Sequence, residues 1–256
     1  RAAIVSFTGI VFILLLSCAG MKQRVVSPPS AVPGADYVGM ETCALCHEKT
    51  VQNFKYTYHA NLTVTLKEGD QMLGCEACHG AGSLHVEAGG GKGQSIINPE
   101  ENPATCLHCH LDVKARFNLQ YHHPLREKRI RCTNCHSPHG EDIKLPEDIR
   151  VGFENETRYS TCYQCHRDKA RPYVFEHEAL REGCILCHAP HGSINDKLLV
   201  QNDANLCLKC HAQVASPGVV IIGDQSHTSF LMQGPCWSAG CHTAIHGSNI
   251  NSSLRY

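Results

Sequence analysis

The sequence has 256 residues, of which 17 are cysteine and 18 are histidine, and its formal net charge is −1. Aromatic residues make up only 6% of the chain and there is a single tryptophan, so ordinary apolar packing explains its folding poorly. Length alone allows one or two domains.

The chain opens with an apolar run, residues 2–16, that ends in Leu-Leu-Ser-Cys18. The run is short for a membrane-spanning helix and is typical of a secretory signal. Its end resembles the bacterial lipobox, in which the cysteine is acylated. We predict a lipoprotein-type signal peptide over 1–17, lipidation at Cys18 and a flexible, lipid-anchored tether over 18–36. A plain signal peptide is the alternative.

From Tyr37 onward, pairs of cysteines are each followed directly by a histidine. Two thiols at this spacing can add to the vinyl groups of one porphyrin and the histidine can bind its iron, which makes Cys-x-x-Cys-His typical of c-type haem attachment. Zinc sites, redox dithiols and disulfides need no such histidine. Eight motifs, numbered here in chain order, use Cys43 with Cys46, Cys75 with Cys78, Cys106 with Cys109, Cys132 with Cys135, Cys162 with Cys165, Cys184 with Cys187, Cys207 with Cys210 and Cys236 with Cys241.

These motifs predict eight covalent haem c groups. The predicted proximal iron ligands are His47, His79, His110, His136, His166, His188, His211 and His242. Motif 8 has four residues between its cysteines instead of two, and Gly240 would let this longer loop fold back.

The second axial ligand decides the chemistry of each iron. Four methionines cannot serve eight irons, so histidine is the predicted ligand. His108 is excluded because it lies between two haem-bound cysteines. Between His122 and His123, the repeat alignment favours His122, and the choice stays open. The distal candidates are His59, His85, His122, His139, His177, His191, His227 and His246.

Some distal histidines follow a motif too closely to bind its own iron. His139 comes three residues after His136, and three residues span at most about 10 Å. We therefore expect His139, and His191 likewise, to bind a neighbouring haem.

Residues 106–140 and 162–192 are similar, which indicates a duplicated two-haem unit. Aligned without a gap from Lys114 to His122 and from Lys169 to His177, they match His122 with His177. Segments after several motifs suit short helices, strand signals are scarce and residues 87–93 read as a loop.

The predicted fold is a multihaem cytochrome c, mostly coil with short α-helices around a haem stack and very little β-structure. After loss of the leader, about 30 residues remain per haem, too few for separate aliphatic cores. We therefore expect residues 37–256 to form one elongated octahaem unit.

The haems also change the charge. Loss of Arg1 with the leader changes the formal charge from −1 to −2. Since each ferric haem with two ionised propionates carries about −1, the oxidised protein with eight haems should carry about −10. This charge disfavours nucleic acid and favours partners with cationic docking surfaces.

Several stretches from Tyr37 onward resemble the MtrA/DmsE group of periplasmic multihaem cytochromes. They are Glu41-Thr-Cys-Ala-Leu-Cys-His-Glu, Gly74-Cys-Glu-Ala-Cys-His-Gly with His85-Val-Glu-Ala-Gly-Gly, Phe175-Glu-His-Glu, Cys187-His-Ala-Pro-His-Gly and Ile245-His-Gly-Ser-Asn. The resemblance implies bis-histidine haems in a wire threaded through an outer-membrane β-barrel porin, between periplasmic cytochromes as donors and an outer-surface multihaem cytochrome or reductase as acceptor. That group usually carries ten haems, and the eight motifs here are closer to the porin-associated cytochromes of metal-reducing bacteria.

The functional hypothesis is therefore an electron carrier without catalysis, lipid-anchored on the periplasmic side of the outer membrane and inserted in a porin. A free periplasmic shuttle or a cytochrome filament subunit is the first alternative. A multihaem reductase is the second, and it would need an iron with an open position.

Overall fold

The computed structural model describes residues 24–25, 31–66, 69–140, 161–170, 172–211, 214–230, 233–238 and 241–256. The predicted signal peptide, the predicted lipidation at Cys18 and the proposed role of Gly240 lie outside these residues.

Short helices follow or contain the haem motifs. Five of the six α-helices in the described part are α1 Met40–Phe54, α2 Glu76–His79, α3 Ser83–Glu87, α4 Ala104–Leu107 and α5 Leu111–Arg116. The sixth is α6 Asp203–His211. Six 3-10 helices cover Tyr58–Asn61, Cys132–Asn134, Arg167–Lys169, Glu178–Glu182, Cys184–Leu186 and Asp196–Leu198.

The described β-structure is limited to two small three-stranded sheets. In the first, β1 Arg24–Val25 pairs in parallel with β2 Thr63–Leu66, which pairs antiparallel with β3 Gly69–Gln71. In the second, β4 Val214–Ser216, β5 Val219–Ile222 and β6 Gln225–Ser226 form an antiparallel meander. Because β1 is hydrogen-bonded to β2, the segment predicted as a free tether is ordered at residues 24–25.

The polypeptide buries few apolar side chains. Among the described residues, the buried hydrophobic set is Val51, Phe54, Val64, Leu73, Ala81, Phe117, Leu125, Leu199 and Ala244. Two apolar side chains inside the motifs are exposed, Leu45 at 83% and Ile185 at 71% accessible. A mostly coil chain with so small a core agrees with the prediction that apolar burial must come largely from bound cofactors.

The described residues form two compact units. The prediction of one octahaem unit over residues 37–256 stays a prediction. Unit 1 contains the described residues of Arg1–Cys109 and Ser137–Lys144, and unit 2 those of His110–His136 and Leu145–Tyr256.

Candidate haem-binding sites

Five haem motifs form a tight loop in which the N–H of the histidine donates to the carbonyl of the first cysteine. In motif 2 the backbone N–H of His79 donates to the carbonyl of Cys75 at 3.0 Å. The equivalent bonds in motifs 4, 5 and 6 are 2.9–3.0 Å long. In motif 8 the N–H of His242 donates to the carbonyl of Cys236 at 3.0 Å, although two more residues separate them. The same hydrogen bond therefore closes the longer loop.

Motif 1 lies inside a helix that continues into the segment after it, for which the sequence predicted helical turns. Helix α1 begins at Met40, so Cys43 and Cys46 are both helical residues. Cys43 is partly buried and Cys46 is exposed. The helix predicted after His47 is therefore present, and it begins earlier because the turn that holds the two cysteines is itself α-helical.

The structure also distinguishes the two cysteines of a motif, which the sequence treats as equivalent. The first cysteine of every motif is partly buried, whereas the second is exposed in five motifs, at Cys46, Cys109, Cys135, Cys165 and Cys210. An exposed sulfur is accessible to a porphyrin vinyl group that approaches from outside the polypeptide. Covalent attachment at Cys46 and at the other motif cysteines stays a prediction.

The backbone leaves the helical conformation at several proximal histidines. His47 has φ −114° and ψ 38° inside α1, so that helix is broken at the ligand position. His110 and His166 likewise have ψ values of 63° and 56° immediately before the next helical turn. This break separates the cysteine loop from the segment that follows it.

Seven proximal histidines each lie opposite a second histidine in the same unit. The ring centroids of these pairs are 5.9–6.5 Å apart. The pairs are His47 with His85, His79 with His139, His136 with His191, His166 with His123, His188 with His246, His211 with His177 and His242 with His227.

This separation fits one metal ion held between two imidazoles. Metal–imidazole bonds are about 2.0–2.1 Å long, and the ring centroid lies about 1 Å beyond the nitrogen, so opposed rings on one metal have centroids about 6 Å apart. In six of the seven pairs the ring planes are within 10–33° of parallel, and in the pair of His123 and His166 they meet at 66°.

Backbone carbonyls fix the orientation of many of these rings. A carbonyl can only accept, so a ring whose Nδ1 faces one carries its proton there and leaves Nε2 free for a metal. The bonds are 2.6–3.0 Å long. They join His79 to Ile97, His85 to Gln94, His123 to Pro190, His188 to Lys197, His227 to Gln225 and His242 to Ser253.

Burial also favours the neutral imidazole that metal binding requires. Desolvation lowers the pKa of His79 and His177, and it has the same effect on the pKa of His191 and His246. The donor sets present therefore suit iron held by two neutral imidazoles.

The structure places His123 opposite His166, whereas the sequence alignment favoured His122 as the distal ligand. Both ring nitrogens of His122 are occupied, Nδ1 by the Leu119 carbonyl at 2.8 Å and Nε2 by the Glu127 carboxylate at 3.2 Å. His123 is thus the one of the two rings that faces a proximal histidine. The choice between His122 and His123 as the distal ligand stays a prediction.

A repeated backbone contact explains the one-residue difference. Tyr121 and Ser193 exchange hydrogen bonds of 2.8–3.1 Å, as do Phe175 and Ser248 at 2.8–2.9 Å. His123 and His177 each follow the aromatic residue by two positions. The structural repeat therefore matches His123, not His122, with His177.

The serine in each of these contacts belongs to a His-Gly-Ser sequence. Ser193 Oγ donates to the Leu199 carbonyl at 2.6 Å, and Ser248 Oγ donates to the Arg255 carbonyl at 2.5 Å. The preceding histidines, His191 and His246, face His136 and His188 from earlier motifs. Sequence reasoning missed these serines, although the shared His-Gly-Ser spacing was a visible signal.

Close contacts between thiols connect motifs that are neighbours in the chain. The Cys43 thiol donates a hydrogen bond to Cys75, which raises the pKa of Cys43 and lowers the pKa of Cys75. Burial, followed by the nearby Cys162, raises the pKa of Cys184 to about 11. The first cysteines of motifs 1 and 2, and of motifs 5 and 6, are therefore adjacent.

Motifs 7 and 8 have the same contact, since burial and then Cys236 raise the pKa of Cys207 to about 12. Between the other successive motifs, the second cysteine of one motif lies beside a cysteine of the next. Burial raises the pKa of each of these thiols, and its neighbour raises it further: Cys78 beside Cys109, Cys135 beside Cys162 and Cys165, and Cys187 beside Cys210. Within each unit, successive motifs thus meet at first and second cysteines in turn.

Comparison with known proteins shows what these motifs are similar to. A family model described as a doubled CXXCH motif matches residues 122–171 and 177–216, and one described as cytochrome c554 and c-prime matches residues 42–73. The mostly coil fold and these matches make the chain similar to multihaem c-type cytochromes.

A curated protein similar to this chain is the multiheme cytochrome MtrA of Shewanella baltica (strain OS185). The two are 28% identical over 212 residues, which cover 81% of this chain and 57% of MtrA. The chain thus spans a little over half the length of this relative. Among solved structures, the undecaheme cytochrome from the S-layer of Carboxydothermus ferrireducens is 20% identical and aligns with 79% of this chain and 30% of its own, with a TM-score of 0.19.

Besides His122, three more of the 18 histidines lie outside the seven pairs. His108 and His110 are exposed, and His59 is partly buried in the 3-10 helix Tyr58–Asn61. The assignments of His110 as a proximal ligand and of His59 as a distal one stay predictions. In the part of the chain that the structure describes, no helix has the length and apolar character needed to cross a bilayer.

Proposed function

We propose that this cytochrome carries electrons along eight bis-histidine haem c groups and does so inside an outer-membrane porin. The observation that carries the electron-transfer proposal is the thiol order, because each sulfur becomes a porphyrin substituent once haem is attached. Neighbouring sulfurs then bring neighbouring porphyrin edges together. When bound, the haems supply reversible one-electron redox chemistry. The chain's residues hold the irons and set their spacing.

Crosswise ligation supports the same role. His139 faces His79 rather than the histidine of its own motif, and His191 faces His136. A ligand supplied from the segment of one haem to the iron of another ties the two sites together. Such ties keep the distances between irons constant during electron transfer.

Eight covalent haems are the first expected result. All sixteen motif cysteines are paired with a histidine, and the Cys236–Cys241 loop closes with the same hydrogen bond as the regular motifs. Intact-mass measurement of the secreted protein should give the polypeptide plus eight haems. Changing both Cys236 and Cys241 to Ala should remove one haem. If the wild type carries seven haems and the double variant also carries seven, motif 8 is not a haem site.

The second expected result separates a carrier from a reductase. A reductase needs an iron with an open position, whereas paired imidazoles fill both axial positions. The oxidised protein should therefore be low-spin at every iron, and carbon monoxide should not bind the reduced form. Absorption and electron paramagnetic resonance spectra measure both properties. A substantial high-spin fraction in the wild type would favour the reductase.

The porin part of the proposal comes from the resemblance to porin-associated cytochromes and from the surface chemistry. Residues 37–256 contain no apolar 20-residue stretch and no run of alternating strands. Charged side chains and unpaired backbone groups could not face lipid, so this segment could cross a membrane only within a protein sheath. Periplasmic cytochromes would be the donors and an outer-surface cytochrome or reductase the acceptor, with Cys18 as the lipid anchor.

Reconstitution tests the conduit directly. Liposomes that contain the cytochrome bound to its porin should let an external reductant bleach an acceptor dye sealed inside. Porin alone and cytochrome alone are the controls, and neither should pass electrons. A cytochrome that never co-purifies with a porin and passes no electrons across liposomes would be a shuttle or a filament subunit instead.

A further inference from the structure

A carboxylate lies buried between the two haem-attaching cysteines of motif 2. Glu76 follows Cys75 directly, and only 2% of its surface is accessible. Ile185 has the same position in motif 6 and is 71% accessible. Burying a charged side chain costs free energy unless its oxygens are hydrogen-bonded, so this position calls for an explanation beyond the haem motif.

Three backbone amides satisfy the carboxylate. Oε1 accepts from Val38 N at 3.0 Å and from Gly82 N at 2.9 Å, and Oε2 accepts from Gly39 N at 2.9 Å. All three donors are neutral, so these partners hold the carboxylate in place without cancelling its charge.

The charge is close to the attachment points of two haems. The thiols of Cys43 and Cys75 are adjacent, and the negative charge of Glu76 acts against the thiolate of each, although the hydrogen bond with Cys43 still lowers the pKa of Cys75. Cys43 Sγ also lies 3.4 Å from the carbonyl oxygen of Gly39, whose N–H donates to Glu76 Oε2 at 2.9 Å. Both sulfurs become haem substituents, one in motif 1 and one in motif 2. Glu76 therefore acts on two porphyrin edges at once, from a site that solvent does not reach.

We propose that Glu76 is a potential-setting residue that lowers the reduction potentials of the motif 1 and motif 2 haems. A fixed negative charge stabilises the ferric state over the ferrous state, and burial keeps salt and water from screening it. The inference rests on the proposed electron-transfer function and adds a direction to it. Electrons would leave the motif 1 end of unit 1 more readily than they would without the charge.

Potentiometric titration of the intact eight-haem protein tests the assignment. In Glu76→Gln the ferric-to-ferrous ratio of the two haems at a given potential should fall roughly tenfold, a rise of about 59 mV for a one-electron couple. The remaining six components should keep their wild-type midpoints. Haem count and low-spin spectra of the same samples report whether the sites are intact.

Two matched variants separate charge from packing. Glu76→Asp keeps the charge and shortens the side chain, so both midpoints should stay near the wild-type values. Glu48→Gln removes an exposed carboxylate next to His47, and solvent screening should make its effect small. Glu76→Ala removes the charge and admits water to the three amides, and it replaces Glu76→Gln if that variant fails to load haem.

The proposal is overturned if charge-free variants with eight haems titrate like the wild type, or if Glu76→Asp shifts as far as Glu76→Gln. Failure of the wider function has a different signature, since it would appear as missing haems or high-spin iron in the wild type.

Discussion

Replacing His123 with alanine should convert one of the eight irons from low-spin to high-spin, whereas His122→Ala should leave every iron low-spin. The centroid of the His123 ring is 6.2 Å from that of His166, and its Nδ1 is held by the Pro190 carbonyl at 2.6 Å. Removing it leaves the motif 5 iron with one protein ligand. The reduced variant should bind about one carbon monoxide per chain, measured by difference absorption.

His122→Ala is the matched control because the two side chains are adjacent and chemically identical. It removes the hydrogen bonds to Leu119 and Glu127 without opening an axial position. His177→Ala, which acts on the motif 7 iron, should resemble His123→Ala. High-spin iron in His122→Ala, with a wild-type spectrum for His123→Ala, would restore the assignment that the sequence alignment favoured.

The one-residue difference between His122 and His123 could not be predicted from the sequence. The gapless alignment matched Lys114 with Lys169 and carried that register forward to the histidines. The backbone contacts of Tyr121 with Ser193 and of Phe175 with Ser248 impose a register one residue later. Register depends on hydrogen bonds between distant segments, and the local sequence does not encode them.

Other features could be predicted from the sequence because they depend on local chemistry. The spacing of two cysteines and a histidine identifies a haem motif wherever it occurs. The scarcity of strands and of a large apolar core followed from composition, and the fold agrees with both. The order of the haems could not be predicted, because it rests on thiol contacts such as Cys187 with Cys210 between separate loops. The division into two units was also beyond the sequence, whose motifs continue through it.

Gly192 follows the distal candidate His191, and it should be as important as His191 for ligation of the motif 4 iron. Gly192 has φ +154°, and a Cβ placed there would lie 2.1 Å from the Arg116 carbonyl oxygen, a backbone atom that no rotamer change can move. Phe117, the next residue, packs on the His191 ring with centroids 5.6 Å apart. Any shift of Gly192 away from Arg116 therefore also moves His191, which faces His136 at 5.9 Å.

We expect Gly192→Ala to destabilise the protein by about 1–3 kcal/mol, the usual cost of forcing extra atoms into a packed site, and to make the motif 4 iron partly high-spin. Thermal unfolding and electron paramagnetic resonance measure the two effects. Gly218→Ala is the control: its φ of +80° is also unfavourable for alanine, but no atom lies within 4 Å of the added Cβ. It should lower stability through backbone strain alone and leave all irons low-spin. Equal spectra for the two variants would mean that the Arg116 contact does not position His191.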